Sequence, residues 1–200
     1  MMRHPERSLE RDTAIEAMLP HVAFDGWGRS ALALGLADAG MEADEVELLF
    51  PLGTTDMVAT FCDWTDRRMA EAAAALTETR LSRRVKAVIA LRLEQNRGFK
   101  EAIRRAIGVL ALPGNGLIAL GCTARTIDAI WHAAGDRSAD FSWYTKRAIL
   151  TPVYATTLLF WLHDQSEDDM DTLAFLDRRL AGVARLGRLK PPFLSRLAAA

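Results

Sequence analysis

Apolar residues recur along this chain at intervals of three, four and seven, and almost nowhere at intervals of two. Ile15, Met18, Leu19 and Val22 form one such stripe, and Val58, Phe61, Cys62, Thr65 and Met69 a longer one. The pattern continues through Leu81, Val85, Val88, Ile89 and Leu93, then Ile103, Ile107 and Leu110, then Ile127, Ile130, Trp131 and Ala134. Trp143, Arg147, Leu150, Tyr154 and Trp161 mark the next stripe, and Met170, Leu173, Leu176, Leu180 and Val183 the last. A repeat of about 3.6 residues puts such positions on one face of a helix, whereas a half-buried strand alternates. The spacing predicts an all-α chain, and no hairpin signal interrupts it. Half of the residues are apolar, which is enough to bury a sizeable core.

Turn residues punctuate the stripes. Phe50-Pro51-Leu52-Gly53 and Pro113-Gly114-Asn115-Gly116 read as breaks. Gly135 to Ala139 is a polar break in which Gly135 suits the residue after a helix end, with Ser138 or Asp140 capping the helix that follows. Pro20 and Pro152 fall inside helical patterns, and each is expected to kink or end its helix. The chain therefore divides into a small helical unit over 1–50, a helical body over 51–190 and a short basic-apolar tail over 191–200.

The first fifty residues have a helix-turn-helix layout: a helix to Phe24, a turn at Asp25-Gly26-Trp27-Gly28, a helix over Ser30 to Ala39, and a tight turn at Gly40 into Glu42 to Leu49. Placed before a long helical body, this layout resembles TetR-type repressors, whose later helices form a ligand pocket and a dimer interface. The charges oppose DNA binding. The candidate recognition segment Met41 to Phe50 holds four acidic residues and no basic one, and Ser30 to Asp66 holds eight acidic residues with no Lys or Arg. Such a surface repels phosphate. It reads as a solvated acidic face, and Arg3, Arg7, Arg11 and Arg29 are the nearby residues that a basic DNA face would need. A ligand-responsive transcriptional regulator is thus the alternative reading of function, and no nucleic acid is expected as a partner.

Basic residues cluster elsewhere. Arg80 to Arg105 holds nine basic and two acidic residues but only Phe99 as an aromatic, and reads as solvated helix faces. Arg185, Arg188, Lys190 and Arg196 are interspersed with Leu186, Leu189, Phe193, Leu194 and Leu197, a composition suited to a membrane surface, although Pro191-Pro192 interrupts any continuous helix. The longest uncharged apolar run, Ala148 to Leu162, is shorter than the roughly 20 residues a spanning helix requires. No secretory signal is visible at the N-terminus. Cys62 and Cys122 are far apart in sequence, show no disulfide or zinc spacing, and read as buried reduced thiols.

The densest unusual chemistry runs from Trp131 to Arg147: two Trp, a Tyr, a His, and Asp, Arg and Lys crowd one helix-turn-helix corner. Amphipathic aromatics with Arg are enriched at binding hot spots. The run Trp131-His132-x-Ala-Gly135-Asp136-x-Ser138-x-Asp140-Phe141-x-Trp143-Tyr144-Thr145-x-Arg147 resembles the signature of the ubiquinone-biosynthesis accessory proteins of TetR-like fold. Tyr154-x-Thr156-Thr157, Phe175-Leu176-x-x-Arg179, and upstream Pro20-x-x-x-Phe24-x-Gly26-Trp27 and Leu112-Pro113 extend the resemblance over most of the chain.

The resemblance implies a TetR-like helical bundle with a degenerate helix-turn-helix unit. It implies a non-catalytic protein that holds an isoprenoid lipid or quinone precursor and presents it to the di-iron hydroxylase of the pathway. It further implies a homodimer with peripheral contact at the membrane, although the abbreviated tail departs from the family's membrane helix; the reduced thiols and the lack of a visible secretory signal lead to the expectation of a cytoplasmic protein, peripheral at the inner membrane. Carried onto this sequence, it makes Ile130, Asp140, Trp143, Tyr144 and Arg147 candidates for the partner surface, while Trp131, Gly135 and Asp136 read as structural. An isoprenoid tail is stabilised by burial at about 25 cal/mol per Å². Phe61, Trp64, Ile107, Leu110, Leu150, Tyr154 and Leu158 are the candidate lipid-lining residues, and nothing in the sequence distinguishes a lined tunnel from a filled core.

Signals for catalysis are thin. His4, His21, His132 and His163 have no metal-ligand spacing beyond Asp128 and His132 at i, i+4, and no phosphate loop, nucleophile elbow or Glu-x-x-His pair is present. No catalytic residue, metal or cofactor is expected.

Overall fold

The computed structural model describes residues 5–41, 46–138 and 141–188. Among these the regular structure is helical, with no strand. In chain order the helices are α1 (Leu9–Asp25), α2 (Arg29–Asp38), α3 (Val46–Leu49), α4 (Thr54–Ala73), α5 (Leu81–Gln95), α6 (Lys100–Leu110), α7 (Gly116–Ala133), α8 (Phe141–Trp161) and α9 (Met170–Arg188), with short 3-10 turns at Arg97–Phe99 and Glu167–Asp169. The chain forms two compact units, Met1–Ser138 and Ala139–Ala200.

Helix α1 begins where Ser8 accepts a hydrogen bond from the Arg11 amide, and Glu10 and Asp12 in its first turn oppose the positive end of the helix dipole. Pro20 neither ends nor shortens it: the helix runs on to Asp25, and Gly26 at φ 76° terminates it. Pro152 likewise lies within α8, which continues to Trp161. Both prolines are exposed, so water can satisfy the carbonyl that each leaves without a donor.

The first unit has a core that ignores the division at residue 50 read from the sequence. Ile15, Met18, Leu19 and Val22 of α1 and Leu32 and Leu36 of α2 pack with Met57, Val58 and Phe61 of α4 and with Ala102 and Ala106 of α6. Trp27, in the α1–α2 turn, is 6% exposed and donates its indole N–H to the Ala102 carbonyl at 2.9 Å. From it an aromatic row runs through Phe61 (5.1 Å between centroids), Trp64 (6.3 Å) and Phe99 (6.5 Å). The helix-turn-helix segment is therefore part of the body's core.

In the second unit α8 packs on α9. Phe160 and Phe175 stack at 4.6 Å with planes 8° apart, and the Arg179 guanidinium lies over Phe175 at 4.8 Å. Phe175 and Arg179 of the Phe175-Leu176-x-x-Arg179 pattern meet in this stack, and Leu176 is fully buried. The turn between the helices is organised by Asp164, which accepts the amide and hydroxyl of Ser166 and the amide and hydroxyl of Thr172. Partial burial pushes its carboxyl up, but these hydrogen bonds to the ionised form outweigh that and hold it well below the usual range.

Gly35 sits where α1 and α2 touch backbone to backbone. A Cβ there would lie 2.6 Å from the Met18 Cα and amide nitrogen, which cannot swing aside. Gly35→Ala is accordingly expected to lower unfolding stability by about 2 kcal/mol despite the better helix propensity of Ala. Urea denaturation checks this, and a variant as stable as the parent would refute the tight crossing.

Candidate functional site

Helix α4 positions the first unit's polar interior. Asp56, Asp63 and Asp66 belong to the acidic stretch that the sequence presents as free of Lys and Arg, yet each is matched by an arginine from another part of the chain. Arg11, 4% exposed, donates to Asp56 at 2.6 Å, to the Thr60 hydroxyl at 2.7 Å and to the Leu49 carbonyl at 2.6 Å. Asp63 receives both Arg7, through two bonds of 2.9 and 2.6 Å, and Arg67 at 2.9 Å. Arg67 in turn makes a bidentate pair with Asp12 at 2.6 and 2.8 Å. Asp66 pairs with Arg92 at 2.6 Å and accepts the Thr126 hydroxyl at 3.0 Å.

Three of the eight acidic residues are therefore internal ion pairs rather than a solvated face. Arg7 and Arg11 are committed to them and do not build a basic outer face. Glu42, Asp44 and Glu45, the acidic heart of the candidate recognition segment, lie outside the described residues.

The corner that carries the signature is built at the end of α7. Gly135 has φ 83° and donates its amide to the His132 carbonyl at 2.9 Å, while the Asp136 amide reaches the Trp131 carbonyl at 3.0 Å. These are the paired bonds of a Schellman motif, which requires a left-handed residue after the helix end and so favours Gly. The Asp136 side chain then accepts the Ser138 hydroxyl at 2.6 Å and its amide at 3.4 Å. Gly135, Asp136 and Ser138 are thus turn chemistry.

Arg84 of α5 braces the same corner. Its guanidinium donates to the Ala133 carbonyl at the end of α7 (3.3 Å), to Ala73 at the end of α4 (3.1 Å), and to Leu76 (2.7 Å) and Glu78 (3.1 Å). One cation gathers the orphan carbonyls of two helix ends. Sequence reasoning placed Arg84 and Arg92 on solvated faces. The partners of Arg84 lie 6 to 49 residues away and are backbone carbonyls, which a charge count over neighbouring positions cannot show.

Of the residues expected on a partner surface, Trp143, Tyr144 and Arg147 come together on the first turns of α8. Arg147 lies over the Trp143 ring at 3.7 Å and donates to the Trp143 carbonyl at 3.3 Å. Trp143 and Tyr144 meet edge to face at 4.7 Å, and Tyr144 is 67% exposed. Ile130 is fully buried on α7 and offers no surface, while Asp140 lies outside the described residues.

The residues expected to line a lipid site divide between the two units. Phe61 and Trp64 belong to the aromatic row, Leu110 packs against the same core, and Ile107 is half-buried. On α8, Leu150 and Tyr154 are buried and Leu158 is half-buried. The apolar part of the tail falls outside the described residues, apart from the backbone of Leu186.

Cys62 and Cys122, 60 positions apart in sequence, meet across α4 and α7, where the hydrogen bond to Cys122 and burial push the Cys62 thiol well up. Among the described residues no group of three His, Cys, Asp or Glu side chains is placed to hold a metal ion, and no helix is long and apolar enough to cross a membrane.

The architecture is that of a TetR-like protein. The TetR transcriptional regulator from Nitrosomonas europaea superposes with a TM-score of 0.69 over 88% of this chain and 99% of that one, at 22% identity, a likeness of fold alone. Residues 118–187, from α7 through nearly all of α9, match the COQ9 family model. The COQ9 ubiquinone biosynthesis protein of Schizosaccharomyces pombe is 30% identical over 88% of this chain and 70% of its own length. Those of Xenopus tropicalis and Homo sapiens are 32% and 30% identical, each over 86% of this chain. The chain belongs to the COQ9 family. It spans 57% of the length of those two vertebrate relatives.

Two expectations follow from the interior. Arg84→Met should cost about 2 kcal/mol of stability by stranding helix-end carbonyls, measurable by thermal or urea unfolding; an unchanged midpoint would remove Arg84 from its bracing role. Burial raises the Asp66 carboxyl from its ordinary 3.8 to about 6, against the opposing pull of Arg92. A folded-state value above the unfolded one means that the folded form holds the proton longer, so this group's contribution falls as pH rises from about 4 to 6. The unfolding free energy of the parent protein relative to that of Asp66→Asn should therefore fall over that interval and then level off. A relative stability that rises instead contradicts the assignment.

Proposed function

We propose that this protein acts in ubiquinone biosynthesis as a non-catalytic accessory protein, holding an isoprenoid lipid or quinone precursor and presenting it to the di-iron hydroxylase of the pathway. The observation that carries the reading is the family match over 118–187, which contains the Trp143, Tyr144 and Arg147 cluster. The names of the COQ9 relatives supply the pathway.

The chemistry of the cluster supports a docking role. Tyr144 is mostly in water, and Arg147 is spread over the indole of Trp143. A rigid aromatic plate with a delocalised cation loses little entropy on contact and gains both apolar area and directed hydrogen bonds. For the lipid, Phe61, Trp64, Ile107 and Leu110 are the candidate lining residues of the first unit and Leu150, Tyr154 and Leu158 those of the second, each set on its own unit's helices. Dimerisation through α8 and α9 and peripheral contact with a membrane through the basic-apolar tail belong to the same proposal, and size-exclusion chromatography with light scattering tests the first.

Solvent extraction of the purified native protein, followed by mass spectrometry, is expected to release an isoprenoid quinone or one of its precursors. A protein that is clean after expression in a quinone-making host would count against the lipid role. Trp143→Lys should weaken binding to the hydroxylase by about tenfold or more while leaving the circular dichroism spectrum unchanged. Undiminished binding would move the docking surface elsewhere.

A further inference from the structure

A cleft of about 370 Å³ lies within the first unit, and its lining includes none of the residues of the aromatic row. The beginning of α4 contributes Asp56 and Ala59, one face of α7 contributes Leu117, Ile118 and Arg125, and Arg11 reaches it from α1. Its walls are mostly hydrocarbon, and it opens to solvent, where Leu52 and Leu117 are 78% and 75% exposed. Clefts of this size accommodate small organic ligands.

The two arginines in the cleft differ. Arg11 is engaged by Asp56, Thr60 and the Leu49 carbonyl. Arg125 is not so matched. Its Nη2 donates to the Cys122 sulfur at 3.3 Å, and among the described residues its buried Nε has no hydrogen-bond partner. Sulfur is a weak acceptor and does not neutralise a guanidinium. Asp66 feels the charge of Arg125 but is already held by Arg92 and Thr126. No carboxylate among the described residues forms an ion pair with Arg125. The remaining acid at the cleft is Glu6, an exposed residue at its edge. A half-buried cation in an apolar cleft is electrostatically incomplete.

We infer that this cleft binds a small amphipathic monocarboxylate, its head group on the Arg125 guanidinium and its hydrocarbon body against Leu117, Ile118 and Ala59. A carboxylate matches the planar fork of the guanidinium. One uncompensated cation matches one negative charge, whereas a phosphate dianion would bring a second charge into a hydrocarbon wall with nothing to meet it. Glu6 opposes the ligand weakly, since its carboxylate sits in water and is screened. The inference is independent of the lipid and docking roles proposed above, because it uses none of their residues.

Isothermal titration of the full chain with octanoate, octanol, octyl phosphate and inorganic phosphate tests it. Octanoate should bind, octanol and octyl phosphate more weakly, and inorganic phosphate not at all. Arg125→Met should reduce octanoate affinity about tenfold while leaving octanol unchanged, and Glu6→Gln should increase it about threefold. Ala59→Phe fills the cleft without touching the cation and should abolish binding of octanoate, which keeps the test valid if Arg125→Met fails to fold. Three results would overturn the inference: no octanoate binding to the parent chain, octanol binding as tightly as octanoate, or octanoate affinity that is the same in the parent chain and in both Arg125→Met and Ala59→Phe.

Discussion

The pairing of α4 carboxylates with arginines from elsewhere in the chain is the constraint on which the first unit rests. Asp56, Asp63 and Asp66 enter a largely apolar interior, where an unmatched carboxylate is costly. Each is met by a guanidinium from α1, from the segment just before it, from α4 itself or from α5. Two bidentate exchanges, Arg7 with Asp63 and Arg67 with Asp12, fix both direction and separation, since planar forks tolerate little misalignment. Hydrocarbon packing holds α1, α2, α4 and α6 together, but it is tolerant of register. The ion pairs select one register among those that packing alone would allow.

That arrangement explains which features the sequence disclosed. Helix number and order, the turn at Gly135 and the TetR-like layout are local matters: spacing of apolar residues, a left-handed glycine, a short turn between two helices. They can be read from neighbours within a few positions. The arginine pairs are not local. Arg11 and Asp56 are 45 residues apart, and Arg7 and Asp63 are 56. A window over Ser30 to Asp66 therefore reports an acidic segment, while the folded chain has neutralised its three α4 members. The same distance hid the meeting of Cys62 with Cys122. Neither proline ends its helix. Their ring blocks a backbone bond, but Pro20 and Pro152 face solvent, and the helices absorb them.

The signature corner shows how one run of residues can serve two purposes. Trp131 to Ser138 is occupied with ending α7: two backbone bonds around Gly135, an Asp136 side chain that fastens Ser138, and Arg84 bracing the helix end from α5. From Trp143 onward the residues are turned to other work, with an exposed tyrosine and a cation lying on an indole. Residue type alone does not separate the two halves. Hydrogen-bond partners and exposure do.

The anchoring of the N-terminal helix has a mechanical consequence. Arg7, Arg11 and Asp12 all reach α4 from the first turn of α1 or just before it, and Trp27 ties the other end of the helix to α6. A helix pinned at both ends against the body has no hinge about which to swing, and switches that relay a ligand signal by domain rotation need such a hinge. In this unit α1 is a fixed wall of the core rather than a lever.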